Sequence, residues 1–240
     1  MLPETEAKPH DWRIEGREYA RHEERRGRRF AYQSLMPART ALVVVDMVPF
    51  FVAGNPYCRG IVPNIARLAE GLRTAGGTVA WVVPAADGRL PAVEEFYGLR
   101  AAGLLRGAAG GGPLAGRLWP EFTVHPADLL VEKSAAGAFF PGRCDLPGLL
   151  QRRGIDTVLI TGSVTNVCCE SSAREAATLG YRVVMVADAN AARCDQDHNA
   201  TLHTVYRSFG DVRSTSEALD MIESAGPLAL VPNEQSDNAI

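Results

Sequence analysis

Three residues of this 240-residue chain, a thiol, a carboxylate and an ammonium group, each stand where an apolar run gives way to a turn. Cys168 lies in Thr161-Gly162-Ser163-Val164-Thr165-Asn166-Val167-Cys168-Cys169-Glu170. Before it, residues 156–160 (DTVLI) read as a buried strand. After it, residues 170–179 (ESSAREAATL) read as a helix with Ala173, Ala176, Ala177 and Leu179 on one side. A thiol at such a turn feels the positive end of the helix and its unpaired N–H groups, which favour the thiolate. The same N–H groups can hold an oxyanion. The chemistry on offer is nucleophilic attack on a carbonyl. Asp46 closes the run ALVVVD and Lys133 follows DLLVE. A carboxylate can take the thiol proton, and a cation beside the thiol lowers its pKa.

Each residue also has a plainer reading. A free Cys is commonly a small buried hydrophobe. Asp46 can cap the turn that follows it. Lys133 can be a solvated loop lysine. Cys169 lies about 100° round the helix from Cys168 and reads as core. Asp188, after RVVMVA, reads as a residue that fixes a turn.

The elements that must bring these groups together alternate. Strands are expected at 41–46, 78–83, 128–132, 156–160 and 182–187, with a short edge strand at 212–214. Helices are expected at 62–75, stopped by Gly76-Gly77, then around 94–106, and at 146–153, 170–179, 195–209 and 216–224, the last capped by Ser216. The Gly-rich loop 107–112 has no strand before it and no Lys-Ser/Thr after it, so it is not a phosphate loop. It reads as a flexible cover. Strand–helix alternation predicts an α/β fold of three αβα layers, with a six-stranded, mainly parallel sheet. Ligands bind such sheets beyond the carboxyl ends of the strands, where strand order reverses. Asp46, Lys133 and Cys168 all fall at that edge.

Composition sets the outer limits. With 46% hydrophobic and 22% charged residues, the chain can fill one sizeable core. Residues 1–36 are polar and read as an N-terminal extension, 37–226 as the domain and 227–240 as a polar tail. A net charge of -3 gives no electrostatic case for nucleic acid or an anionic membrane surface, and the basic run 21–29 is interrupted by Glu23 and Glu24. No apolar run approaches the ~20 residues that cross a bilayer. Cys58, Cys144, Cys168, Cys169 and Cys194 show no metal spacing, and the N-terminus has no apolar signal core, so a reduced, cytoplasmic protein is expected.

At these residues the chain resembles the isochorismatase-like cysteine hydrolase family, over roughly 37–223. Val43-Val44-Val45-Asp46-Met47 with Phe51 is similar to its strand–Asp motif. Glu132-Lys133-Ser134 with Ala138-Phe139 is similar to its Lys motif, and residues 162–168 with Ala173, Arg174 and Ala176 to its nucleophile motif. The resemblance implies a Rossmann-like fold and a triad of Asp46, Lys133 and Cys168. It also implies a cis peptide at Ser163–Val164 that aims the Val164 N–H, with that of Cys168, at an oxyanion. Metal-dependent relatives carry an Asp-x-His pattern after strand two. Here residues 84–93 hold Asp87 but no His, and His10, His22, His125, His198 and His203 make no ligand set, so no metal and no cofactor is expected. Val48-Pro49-Phe50 replaces the family's usual polar residues and makes one pocket wall more apolar.

By the same resemblance, the implied activity is that of a cysteine hydrolase that cleaves a C–N bond of a small amide, lactam or carbamoyl compound through a thioester. Streptothricin lactam stands first as substrate, on compositional analogy, with N-carbamoyl or ureido amides as the alternative. A homodimer or homotetramer is implied. Phe51, Trp81 and Phe139 are the pocket candidates, and Glu94-Glu95 beside Phe96-Tyr97 would suit a cationic substrate if that segment lines the mouth. A binding protein without activity, or a redox thiol pair, is the reading from another class.

Overall fold

The computed structural model describes residues 6–86 and 91–224; the terminal tail 227–240 and Asp87 lie outside the described residues. The helices and strands come in the order α1 (Gly16–Arg26), β1 (Thr40–Val45), α2 (Pro49–Val52), α3 (Pro56–Gly60), α4 (Val62–Thr74), β2 (Thr78–Pro84), α5 (Pro91–Gly107), β3 (Leu129–Lys133), α6 (Leu146–Arg152), β4 (Thr157–Ser163), α7 (Glu170–Thr178), β5 (Arg182–Ala191), α8 (Asp195–Ser208), β6 (Asp211–Arg213) and α9 (Thr215–Glu223). A π-helical turn, Thr165–Cys169, leads into α7.

The six strands form one sheet in the order β3-β2-β1-β4-β5-β6, and every pairing is parallel. Alternate residues of each strand face opposite layers. Val43, Val45, Val82, Val158 and Met185 pack with Leu146, Leu150, Ala173, Ala176 and Leu202 from α6, α7 and α8. Leu42, Val44, Trp81, Leu159 and Val184 pack with Ile65, Leu68, Leu72, Ala218 and Ile222 from α4 and α9. Burial on both faces is why β1 and β4 read as unbroken apolar runs.

The expected elements are present with shifted ends. β5 runs to Ala191 rather than stopping at 187. Its register against β4 slips between Ile160 and Gly162, and the Asn190 amide donates to the carbonyls of Ile160 and Val186 at 2.8 and 2.7 Å across the irregularity. A polar side chain replaces ladder bonds there, which an apolar-run reading cannot see. Asp188 is therefore inside the strand, and its carboxylate accepts from the N–H and hydroxyl of Thr215, a structural role. The cap of α9 is Ser214 in a capping box with Glu217, not Ser216. Helix α5 breaks at Gly98, where φ is 77°.

Residues 8–31 are folded onto the domain. Ile14 joins the core, His22 approaches the Tyr206 carbonyl at 3.1 Å, and the N–H groups of Ala31 and Tyr32 donate to Asp211. No helix among the described residues is long and apolar enough to cross a membrane.

Candidate active site

Strand order reverses between β1 and β4, and the crevice beyond their carboxyl ends is where Asp46 and the π-turn meet. The close approach is built into the chain. Gly162 has φ 117°, and a Cβ there would meet the Val45 backbone nitrogen at 2.7 Å. The peptide between Ser163 and Val164 is cis. Asp46 itself turns out of β1 with φ 54°, its N–H donates to the Val82 carbonyl at 2.9 Å, and its carbonyl accepts from Ser163 Oγ at 3.2 Å.

Lys133 is the last residue of β3, two strands away, and its long side chain spans β2 to reach Asp46 Oδ2 at 2.8 Å. The pair is buried, Asp46 at 1% and Lys133 at 4% exposure. The ammonium also donates to the Ala135 carbonyl at 3.1 Å. The Cys168 thiol lies against the Asp46 carboxylate and the Lys133 ammonium, and the Val164 N–H reaches its sulfur. Asp46 Oδ1 accepts no N–H or O–H donor among the described residues, so it is available to a proton from the thiol or a substrate.

Burial pulls the Lys133 ammonium toward deprotonation, but the charges of Asp46 and Cys168 outweigh it and its pKa rises. Burial pushes the Cys168 thiol up to about 12; the charge of Asp46 adds to the rise and Lys133 opposes it. This corrects the expectation of a thiolate-favouring turn. The Asp46–Lys133 pair is already neutral as a unit, so a thiolate beside it would be a net buried anion. Moving a proton from the sulfur to the carboxylate beside it would leave the net charge of the cluster unchanged.

A hydrogen-bonded link ties the two loops of the site. Ser172 Oγ donates to the Cys168 carbonyl at 2.7 Å and accepts from the Ala138 N–H at 3.0 Å. Glu175 accepts from the Phe139 N–H at 3.0 Å. Cys169 is fully buried with its thiol toward the Thr161 carbonyl, as a core residue.

A pocket of about 450 Å³ opens over Asp46, Lys133, Val164 and Cys168. Phe51 lines it, as expected from the sequence, but the other pocket candidates do not. Trp81 points into the α4 layer, where its Nε1–H donates to Asp128 at 2.8 Å. Phe139 is buried in the opposite layer against Tyr181. Glu94 is paired with Arg106, and neither Glu94 nor Glu95 is on the pocket wall; Val93, Tyr97 and Leu105 of α5 are. The Gly-rich loop is anchored to the body by buried Ala108 and Ala109, with Ala108 on the wall. Sequence reading misses Arg143, Arg193 and Asp197, which also line the pocket. The signal for Arg193 is its place just past a strand's carboxyl end, hidden because the apolar run stops before β5 does. No group of three or more His, Cys, Asp or Glu placed to hold a metal occurs among the described residues.

Comparison with known proteins agrees with this geometry. Residues 40–217 match the isochorismatase domain. An uncharacterised isochorismatase family protein of Bacillus subtilis (strain 168), YwoC, is 34% identical over 194 residues, covering 77% of this chain and 95% of that protein. The ureidoacrylate amidohydrolase RutB of Agrobacterium fabrum is 29% identical over 218 residues, covering 81% and 95%. Among solved structures, a cysteine hydrolase from Pseudomonas syringae pv. phaseolicola superposes with a TM-score of 0.72 at 26% identity, covering 82% of this chain and 98% of that one. The N-carbamoylsarcosine amidase of Thermoplasma acidophilum does so with 0.59 at 26% identity, covering 74% and 96%. The chain belongs to the isochorismatase family of cysteine hydrolases.

Proposed function

We propose that the chain is an amidohydrolase in which Cys168 is the nucleophile, Asp46 the proton carrier and Lys133 the fixed cation, acting on a small amide or ureide that carries a carboxylate. The observation that carries this reading is the buried Asp46–Lys133 pair, 2.8 Å apart, against a thiol at the floor of a pocket. A structural ion pair has no need of a thiol or of an open pocket above it.

The charges dictate the steps. Asp46 takes the Cys168 proton as sulfur attacks the carbonyl carbon, so no free thiolate has to be stored. The carbonyl oxygen becomes an anion, to which the N–H groups of Val164 and Cys168 donate, each worth a few kcal/mol. Asp46 then gives its proton to the leaving nitrogen, the C–N bond breaks, and a thioester with Cys168 remains. Water loses a proton to Asp46, adds to the thioester carbon, and the sulfur leaves and is reprotonated. Lys133 stays charged throughout and holds Asp46 Oδ2, leaving Oδ1 to carry the proton.

The substrate class rests on the pocket's cations. Arg193 and Asp197 line it without a hydrogen-bond or ion-pair partner among the described residues, and Arg143 lines it too. A guanidinium fits a carboxylate, and a carboxylate fits amide N–H groups. The relatives point the same way by name, to ureidoacrylate and N-carbamoylsarcosine. The Glu94-Glu95 hint of a cationic substrate falls away, because both residues are off the wall, and the relatives' names favour the N-carbamoyl and ureido alternative over the streptothricin lactam.

The test is mass spectrometry of an N-carbamoyl amino acid, maleamate, an uncharged amide and streptothricin after incubation with wild type and Cys168→Ala. Cys168-dependent hydrolysis of the anionic compounds is expected. Turnover that survives Cys168→Ala, or is confined to streptothricin, overturns the mechanism or the substrate class respectively.

A further inference from the structure

His10 stands outside the family-matched residues and is buried to 8% exposure. Its ring is sandwiched between Tyr57, with centroids 3.8 Å apart, and His198 of α8, at 4.1 Å, with all three rings nearly parallel. Both its nitrogens are used. Nδ1 faces Asp195 Oδ1 at 2.6 Å and Nε2 accepts from the Ala192 N–H at 3.0 Å. That assigns the neutral tautomer with its proton on Nδ1. Ala192 precedes Arg193, and its carbonyl is held on the other side by the Asn55 amide at 3.1 Å. His198 Nδ1 in turn faces Thr165 Oγ1 at 2.9 Å. Thr165 opens the π-turn that carries Cys168 and follows Val164. The neighbouring arm residues reinforce the contact: the Arg13 N–H donates to Asn199 Oδ1 and the Asn199 amide donates to the Asp11 carbonyl.

We propose that residues 8–14 are a positioning strap for the pocket: His10 fixes the Ala192–Arg193 segment, and through stacked His198 and Thr165 it steadies the turn that presents Cys168. Neither histidine touches the pocket, so both act through other residues. The role of Arg193 in holding an anion rests on the proposed function, so the test includes a readout that needs no turnover. Cys168 can be alkylated by iodoacetate, an anion, or by iodoacetamide, which is neutral and of nearly the same size. The ratio of the two rates reports how well a cation is aimed at the approach to sulfur.

The experiment uses the full chain as wild type, His10→Phe, His10→Gln and Arg193→Gln, with alkylation of Cys168 followed by peptide mass spectrometry to separate it from the other cysteines. His10→Phe keeps a stacking ring and loses both nitrogens; His10→Gln keeps an acceptor for the Ala192 N–H. The iodoacetate-to-iodoacetamide ratio is expected to fall at least threefold in His10→Phe, toward the Arg193→Gln value, and to recover in His10→Gln. With an active substrate, the same order appears in KM for the anionic compound. A melting scan confirms that each variant is folded at the assay temperature. A His10→Phe ratio equal to wild type, in a folded protein whose Arg193→Gln ratio has dropped, overturns the strap. If wild type hydrolyses nothing, the functional reading fails and the alkylation ratios still decide the strap. An Arg193→Gln ratio equal to wild type removes the anion-guiding half of the proposal.

Discussion

The pocket has a floor and a wall made of different material. On the floor, Asp46 and Lys133 stand at strand ends and Cys168 in the π-turn after β4, with hydrogen bonds involving Val82, Ser163 and Ser172 cross-linking the segments. On the wall, α5 breaks at Gly98, leaves Phe96 and Leu99 81% and 74% exposed, and contributes a few side chains to the cavity. A cross-linked floor suits groups whose separation sets a reaction rate. A wall with few buried contacts suits differences in substrate, because it changes at small cost to the fold. Substitutions in the two places should therefore differ in kind as well as in size.

The largest effect is expected on the floor. Cys168→Ala and Asp46→Asn should each lower kcat/KM by on the order of 10⁴-fold or more, since residues that act as one unit fail together. Cys169→Ala, one residue away in the core, should keep kcat and lose melting temperature. Steady-state rates and a melting scan on the three variants separate the roles; activity lost with Cys169 and kept without Cys168 would reverse the assignment.

Legibility in the sequence obeys the same division. Strands buried on both faces announce themselves as unbroken apolar runs, so the sheet and the residues at its edge can be read directly. Asp46 and Cys168 are legible because each comes after such a run, and Lys133 because it closes the shorter apolar run of the edge strand β3. The wall carries no comparable pattern. The adjacent acids Glu94 and Glu95 beside Phe96-Tyr97 draw attention as a cation site, when Val93 and Tyr97 are the residues at the mouth. Trp81 sits on the right strand and faces the α4 layer, because a one-residue step along a strand exchanges its two faces, while Phe139, in the loop after β3, turns into the opposite layer. The thiol's high pKa is not legible because it comes first from burial of the sulfur and then from the Asp46 charge beside it, both facts of three-dimensional proximity. His10 and His198 are 188 positions apart and no local pattern joins them.

Next in size is stability. Lys133→Ala leaves the Asp46 carboxylate buried without its counter-ion, which should cost about 3–5 kcal/mol in chemical denaturation. Lys133→Met in an Asp46→Asn background should recover much of that loss, because no unpaired charge remains. Equal loss in the single and double variants would mean that the pair is less buried than its contacts indicate.

The thiol offers an effect of opposite sign to the loss of turnover. Burial, then the Asp46 charge, hold the Cys168 thiol up near 12, and Lys133 opposes them. Removing the Asp46 charge in Asp46→Asn leaves Lys133 facing the sulfur, so the thiol pKa should fall. Each unit of fall gives about tenfold more thiolate at neutral pH. Alkylation of Cys168 by iodoacetamide at pH 7 should therefore speed up in the variant that has lost turnover. Slower alkylation would show that Asp46 favours the thiolate instead.

Acid should weaken the chain through its buried imidazoles. Burial lowers the His198 pKa from 6.5 to about 3, and lowers that of His10 despite the opposing Asp195. A histidine with a depressed folded-state pKa favours the fold fully above its unfolded value near 6.5, and that contribution is lost as pH falls toward the folded value. Asp195 shifts down through its bond to His10 and has the same sign, but its window lies below the ordinary 3.8. Stability measured by urea should thus decline between pH 6.5 and 4, and His198→Phe should flatten that slope even as it lowers the plateau. An unchanged slope in the variant would place the acid sensitivity elsewhere.

The smallest effect belongs to the wall. Tyr97 lines the pocket and is 52% exposed, so Tyr97→Ala removes one side of a substrate contact without opening the core. KM should rise severalfold, within the range of about 1 kcal/mol for one partly exposed contact, with kcat little changed because that contact is the same in the ground and transition states. Glu94→Gln with Glu95→Gln, close by on α5 and off the wall, should leave KM unchanged for anionic and cationic compounds alike. If Tyr97→Ala lowers kcat as much as KM rises, the wall shares in positioning the reacting carbonyl, and the division between a reacting floor and a selecting wall fails at that residue.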